Sequence, residues 1–207
     1  MARVTGPLMS FDASGSIAGA VVFSKWRGRN YVRRHAVPSN PRTTAQLAAR
    51  SIIAFLGADW KNLDPADQAS WLAGSESLKI SPFNEYIRVN ARNWRDQMPP
   101  TKLTPAALTN TPGTATSMAG VASGRQAQLT LTAGFGADDW GVVLCRSTTT
   151  GFTPTPGNAI IVVPATGFGG VIVDGPLVPD SYYYRFAIFT DDGILGGFCA
   201  EEEVTIV

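Results

Sequence analysis

His35 is the chain's only histidine; it stands between Arg34 and Ala36 with no glycine-flanked serine nearby, so a serine-hydrolase relay has no setting here. Carboxylates cluster at Asp138 and Asp139, at Asp191 and Asp192, and from Glu201 to Glu203. Calcium demands roughly six to eight oxygens, and these acids fall in or beside segments that connect strands, where carboxylates are ordinarily solvated. The acidic end, Glu201 to Glu203, is expected to keep a sheet edge soluble. Cys145 and Cys199 lie 54 residues apart, which excludes a CxxC redox pair and a cysteine zinc site, and buried free thiols are expected. GSIAGA and GFGG are glycine-rich, but neither carries the lysine or the strand-loop-helix setting of a phosphate-cradling loop. The expectation is a non-enzymatic chain with no catalytic residue, no metal ligand and no cofactor.

One cluster remains whose chemistry is that of recognition. Lys25, Trp26, Arg27, Arg29, Tyr31, Arg33 and Arg34 all fall between positions 25 and 34. Cations on phosphates with rings stacked on bases would suit nucleic acid, with an affinity that falls steeply in salt. Guanidinium forks also bond carboxylates in pairs, and arginine and aromatic residues are enriched at protein interfaces. A solvated face is the third reading. Residues 1–100 hold 13 Lys and Arg against 7 Asp and Glu, a net charge of +6, while residues 101–207 hold 4 against 9, a net charge of −5. A charge of +6 is modest for a dedicated nucleic-acid binder and no recognition motif accompanies the patch, so a protein interface is favoured. Strand alternation would put Arg27, Arg29 and Arg33 on one face and Arg34 on the other.

Stepping outward along the chain, SIAGAVVFSKW, RGRN and YVRRHAV read as a hairpin over residues 16–37, with the Gly28 region as its turn. The arm ahead of it has little to bury and is expected to order against a partner. Thr43 with Gln46 is a capping-box spacing and opens a helix running to about Trp60. Asp64-Pro65 and Ser81-Pro82 each place a cap before a proline and open two more helices. On the last of these, Phe83, Tyr86, Ile87, Asn90 and Trp94 form one stripe, read as a core face. The three helices are expected to bundle and to cover the hairpin.

MPPTKLTPAALTNTPG, residues 98–113, cannot continue a helix and reads as a linker. Beyond it the hydrophobic period changes to two, in six or seven short runs separated by turn residues, which describes an antiparallel sandwich. The fold class expected is α+β and multidomain: an arm, hairpin and helical module over 1–97, the linker, and a sandwich over 114–207. No run approaches the length of a membrane span, and the chain is expected to be made and folded in the cytoplasm.

Two resemblances follow. LVPDSYYYRFAIFTDDG, Leu177 to Gly193, resembles the E to F corner of a fibronectin type III domain, where Leu-x-Pro precedes a tyrosine that caps the corner. Spacing from Pro179 implies Tyr183 in that role, whereas alternation puts Tyr182, Tyr184, Phe186 and Ile188 on the apolar face, so Ig-like is the broader name. In the front half, the order of a basic RGRNYVRR segment, NPRTTAQ, LDPADQASW and SPFNEYIRVN is similar to that of small proteins encoded in the structural-gene regions of tailed-bacteriophage and prophage genomes. That likeness implies a virion component, on head, neck or tail, that contacts copies of itself and other virion proteins and displays its Ig-like domain outward, with weak glycan contact as an accessory role. The competing readings are an adhesion or carbohydrate-binding module using loops 148–157 and 191–197, and a nucleic-acid binder using the basic hairpin.

Overall fold

A computed structural model of the chain describes residues 15–26, 28–37, 42–166 and 169–207. The chain divides into two compact units, Met1–Pro41 and Arg42–Val207.

In the first unit the expected hairpin is a three-stranded antiparallel sheet of β1 (Gly15–Ile17), β2 (Val21–Trp26) and β3 (Arg29–Arg34), in that order. The extra strand arises because SIAGAVVF bends back on itself at Ala18–Ala20, where Gly19 takes φ +66°, a conformation a side chain would resist. Gly28, at φ +80°, serves the second turn.

In the second unit, Thr43 caps α1 (Thr44–Asp59), its hydroxyl accepting from the Gln46 N–H at 3.4 Å. Only half of the expected capping box forms, since Gln46 Oε1 is buried without a partner. Asp64 precedes α2 (Pro65–Ser70) without a side-chain cap bond, and Trp71 separates α2 from α3 (Leu72–Leu78), so the expected second helix is two short ones. Ser81 caps α4 (Pro82–Arg95), accepting from the Asn84 N–H at 3.2 Å. Tyr86, Asn90 and Trp94 of the predicted stripe are buried, while Phe83 stays partly exposed, edge-on to Trp60.

The seven strands that follow form a sandwich. β4 (Thr114–Ser123), β5 (Gln126–Gly134) and β8 (Val171–Asp174) make one sheet; β10 (Glu202–Ile206), β9 (Asp180–Thr190), β6 (Asp139–Ser147) and β7 (Ala159–Pro164) make the other. This three-plus-four antiparallel order is that of a fibronectin type III-like sandwich. Leu129, Leu131, Val142, Leu144, Tyr184, Phe186 and Ile188 fill the space between the sheets.

The helices pack on the outside of the four-stranded sheet. Phe55 of α1 meets Trp140 with ring centroids 5.0 Å apart and Phe189 at 5.7 Å, and Ile52, Leu56, Trp71 and Tyr86 join Val143, Cys145, Ala187 and Phe189 in one core. Gly141 faces Phe189 across the strand pair, where a Cβ would strike the ring. The apolar stripes expected to lie over the hairpin are therefore spent on the sandwich. The reason is legible in β6 and β9: both are buried on both faces along much of their length, and a doubly apolar strand needs a cover on each side.

The segment 98–113 is correspondingly no free linker. Asn90, fully buried on α4, donates to the Thr101 carbonyl at 3.0 Å and accepts from its N–H at 2.8 Å, as a neighbouring strand would. The Trp71 indole donates to the Lys102 carbonyl at 2.8 Å, and Lys102 N–H to Asp191 carbonyl at 2.8 Å. Helices and sandwich thus form one unit, and the boundary between units falls near residue 41 rather than near residue 98.

Candidate assembly interface

Directly opposed residues in an antiparallel pair project to the same face of the sheet. Trp26 opposes Arg29, Ser24 opposes Tyr31 and Val22 opposes Arg33, so Trp26, Arg29, Tyr31 and Arg33 share one face. Lys25 opposes Asn30, Phe23 opposes Val32 and Val21 opposes Arg34, so Lys25 and Arg34 lie on the other. The predicted separation of Arg29 and Arg33 from Arg34 holds; Arg27 lies outside the described residues. The six described candidates thus split between an aromatic and cationic face and a cationic face around Phe23.

All six residues of β3 are exposed, and β3 is an edge of its sheet. Trp26 is 62 % exposed, and Tyr31 and Val32 are exposed as well. Phe23 alone among the described residues of this unit is a buried hydrophobic. Asp12 is the only carboxylate in residues 1–58. Among the described residues, Lys25, Arg29, Arg33 and Arg34 take part in no ion pair; the four ion pairs present all lie in the second unit. The first unit offers cations, rings and an open strand edge, and its sequence has almost no acid to answer them.

The carboxylates expected to be solvated have a different task. Asp192 is buried and accepts from the backbone N–H of Thr109 at 2.6 Å and of Asn110 at 2.9 Å, and from the Thr190 hydroxyl at 2.6 Å. Burial alone would raise its pKa, but these donors together outweigh it and hold the carboxyl below the usual aspartate value. Asp139 accepts from Gly113 N–H at 2.9 Å and Gly136 N–H at 2.7 Å. Glu201 takes Gly151 N–H at 2.9 Å, and Glu202 takes Gly120 N–H at 2.9 Å. These acids staple loops and an edge; among the described residues no group of three or more His, Cys, Asp or Glu side chains is placed to hold a metal ion.

One further polar group escaped the sequence reading. Asp174 is buried between Arg146, at 2.6 Å, and the Tyr184 hydroxyl, at 3.1 Å, which pins β8 to β6 and β9 across the sandwich. The corner tyrosine is Tyr182, whose hydroxyl donates to the Val178 carbonyl at 3.0 Å, whereas Tyr183 points to the Glu203 side at the rim. Alternation was the correct signal and the spacing from Pro179 the misleading one. Cys145 and Cys199 are free and buried; burial pushes the Cys145 thiol up to about 12 and raises Cys199 as well, so neither is a reactive nucleophile.

No protein-family model and no curated protein matches this chain. Among solved structures it is similar to a Fn3-like protein from Clostridium thermocellum, 20% identical, covering 47% of this chain and 96% of that one, with a TM-score of 0.30. The fold assignment rests on the strand order itself.

Proposed function

We propose that this chain is a non-enzymatic structural subunit of a tailed-phage virion, anchored through its N-terminal unit and displaying a fibronectin type III-like domain. The observation that carries the reading is the β1-β2-β3 sheet: exposed rings and unpaired cations around an open edge, in a unit whose sequence has a single carboxylate. A partner supplying carboxylates and apolar surface would neutralise the arginines by paired hydrogen bonds and bury Trp26 and Tyr31. Repetition around a symmetric particle would multiply modest contacts into firm attachment. The order of sequence elements in the front half supplies the phage assignment.

The adhesion reading has less behind it. Phe152 and Phe198, the rings in or beside loops 148–157 and 191–197, are half-buried against the helix-side core. A nucleic-acid role would need the same sheet to bind duplex or single-stranded DNA with a strong salt slope.

Mass spectrometry and imaging of purified particles from the encoding phage test the proposal. The subunit should be present in fixed stoichiometry, and its absence from particles would remove the virion reading.

A further inference from the structure

β3 is an outer strand of its sheet, and the main chain of such a strand bonds its neighbour at every second residue. His35, just past its end, donates its N–H to the Ala20 carbonyl at 2.7 Å. The register carries that bonded pair back along the strand, to Arg33 with Val22, Tyr31 with Ser24 and Arg29 with Trp26. The residues between them, Val32 and Arg34 included, turn their N–H and C=O groups away from β2, toward the open edge. Such an edge is a template for another strand: main-chain bonds along it supply affinity, and side chains at alternate positions supply choice.

The side chains of β3 state which strand the edge fits. Arg29, Tyr31 and Arg33 project from one face, and Val32 projects from the other, opposite Phe23. Positions 13–58 hold seven lysines and arginines and no aspartate or glutamate. A β3 strand from a second copy would add more arginines to this edge with no acid in either unit, and like charges on neighbouring strands oppose pairing. The chain's own acidic strand, β10, is committed elsewhere. It pairs with β9 and buries Val204 and Ile206 in the sandwich, and Glu202 within it and Glu201 beside it accept from Gly120 and Gly151. A nucleic acid would answer the cations but has no ladder of amides to offer Val32 and Arg34. The complement of this edge in both charge and main chain is an acidic polypeptide strand.

We infer that β3 receives an extended acidic segment of a different protein, added to the β1-β2-β3 sheet as a further strand, with carboxylates opposite Arg29 and Arg33 and an apolar side chain opposite Val32. This deepens the subunit reading and rests on it for the partner being a virion component; it adds how the partner binds and what its segment must contain.

The test follows amide hydrogen exchange by nuclear magnetic resonance on the full chain, with and without a capped synthetic peptide that alternates Glu and Val. In the free chain the Val32 and Arg34 amides should exchange fast and those of Arg33 and His35 slowly; the peptide should slow Val32 and Arg34 about tenfold or more. A peptide of the same composition, with Glu and Val in separate blocks, keeps the charge and loses the alternation, and by fluorescence anisotropy should bind about tenfold more weakly. Val32→Pro removes an outward N–H at an edge position where proline spares the β2 ladder, and should weaken the alternating peptide about tenfold. Failure of the alternating peptide to bind, equal affinity for the two peptides, or binding that leaves Val32 and Arg34 exchange unchanged overturns the inference. Slow exchange at both residues in the free monomer overturns it too, by showing the edge already covered, and protection that grows with protein concentration alone does so by placing a second copy there. A short oligothymidylate that binds more tightly than the alternating peptide and loses nothing to Val32→Pro overturns it in favour of nucleic acid. No particle enters this test: a chain present in virions whose edge refuses the peptide sinks this inference alone, and a chain absent from virions whose edge accepts it sinks the virion reading alone.

Discussion

The Tyr182 hydroxyl donates to the Val178 carbonyl four residues upstream at 3.0 Å, while the neighbouring Tyr183 lies half-exposed beside Glu203. The first bond ties the turn entering β9 to the strand; the second links two side chains at the solvent rim. Tyr182→Phe should therefore cost about 1 kcal/mol of unfolding free energy in urea, and Tyr183→Phe less than about 0.5 kcal/mol. Equal losses would contradict the assignment of Tyr182 as the corner residue.

Asp192 predicts acid lability at a defined place. It lies just beneath the surface, with little area exposed but few groups packed deeply around it, and its folded pKa is depressed by its hydrogen-bond donors against the opposing effect of burial. Its contribution is fully present above the ordinary aspartate value of 3.8 and is lost as pH falls through the depressed native value. Asp192→Ala should cost about 2 kcal/mol at neutral pH through the orphaned N–H groups of Thr109 and Asn110. Its unfolding free energy should fall less steeply with acid than that of the parent, and a parallel pH profile would refute the staple.

Asp59 should behave with the opposite sign. Burial raises its pKa, only partly offset by the nearby Trp140 indole and Lys102, and neither Asp59 Oδ2 nor Trp140 Nε1 finds a well-formed hydrogen bond. A raised carboxyl loses stability as pH climbs from 3.8 through its native value. Asp59→Asn should remove that decline, so that the variant gains on the parent between mildly acidic and neutral pH. Thermal melts across this range decide it, and a loss that grows toward neutrality would count against burial as the dominant effect.

Phe55 of α1 reaches into the ring cluster of Trp140 and Phe189 on the four-stranded sheet. Phe55→Ala should cost about 4 kcal/mol. In the parent, far-ultraviolet ellipticity, which follows the helices, and tryptophan fluorescence should report one coincident transition. Helices melting well before the sandwich would show that the shared core is not cooperative.

Arg33→Ala with Arg34→Ala removes exposed cations that have no described ion-pair partner in the chain. Stability should change by less than about 0.5 kcal/mol while incorporation into particles falls. A large loss of stability would assign these arginines a role in folding rather than docking.

Thr43 and Ser81 were legible as helix caps because a cap is a bond between residues three apart, complete within one turn. Period-two runs such as that of β5 likewise disclosed sandwich strands, since a strand with one face on the core alternates in burial whatever its neighbours are. The open, basic β3 was readable from composition. The seat of the helices was not, although the doubly apolar β6 and β9 carried the clue that both sheet faces needed cover. Asp192 looked like any turn carboxylate, because its donors at Thr109 and Asn110 stand more than 80 residues away in sequence. Local hydrogen bonds and periodicity are properties of a few consecutive residues and were set by the sequence itself. Which carboxylate meets which orphaned N–H, and which apolar stripe meets which sheet, depends on distant segments arriving at one place, and only the tertiary structure decided that.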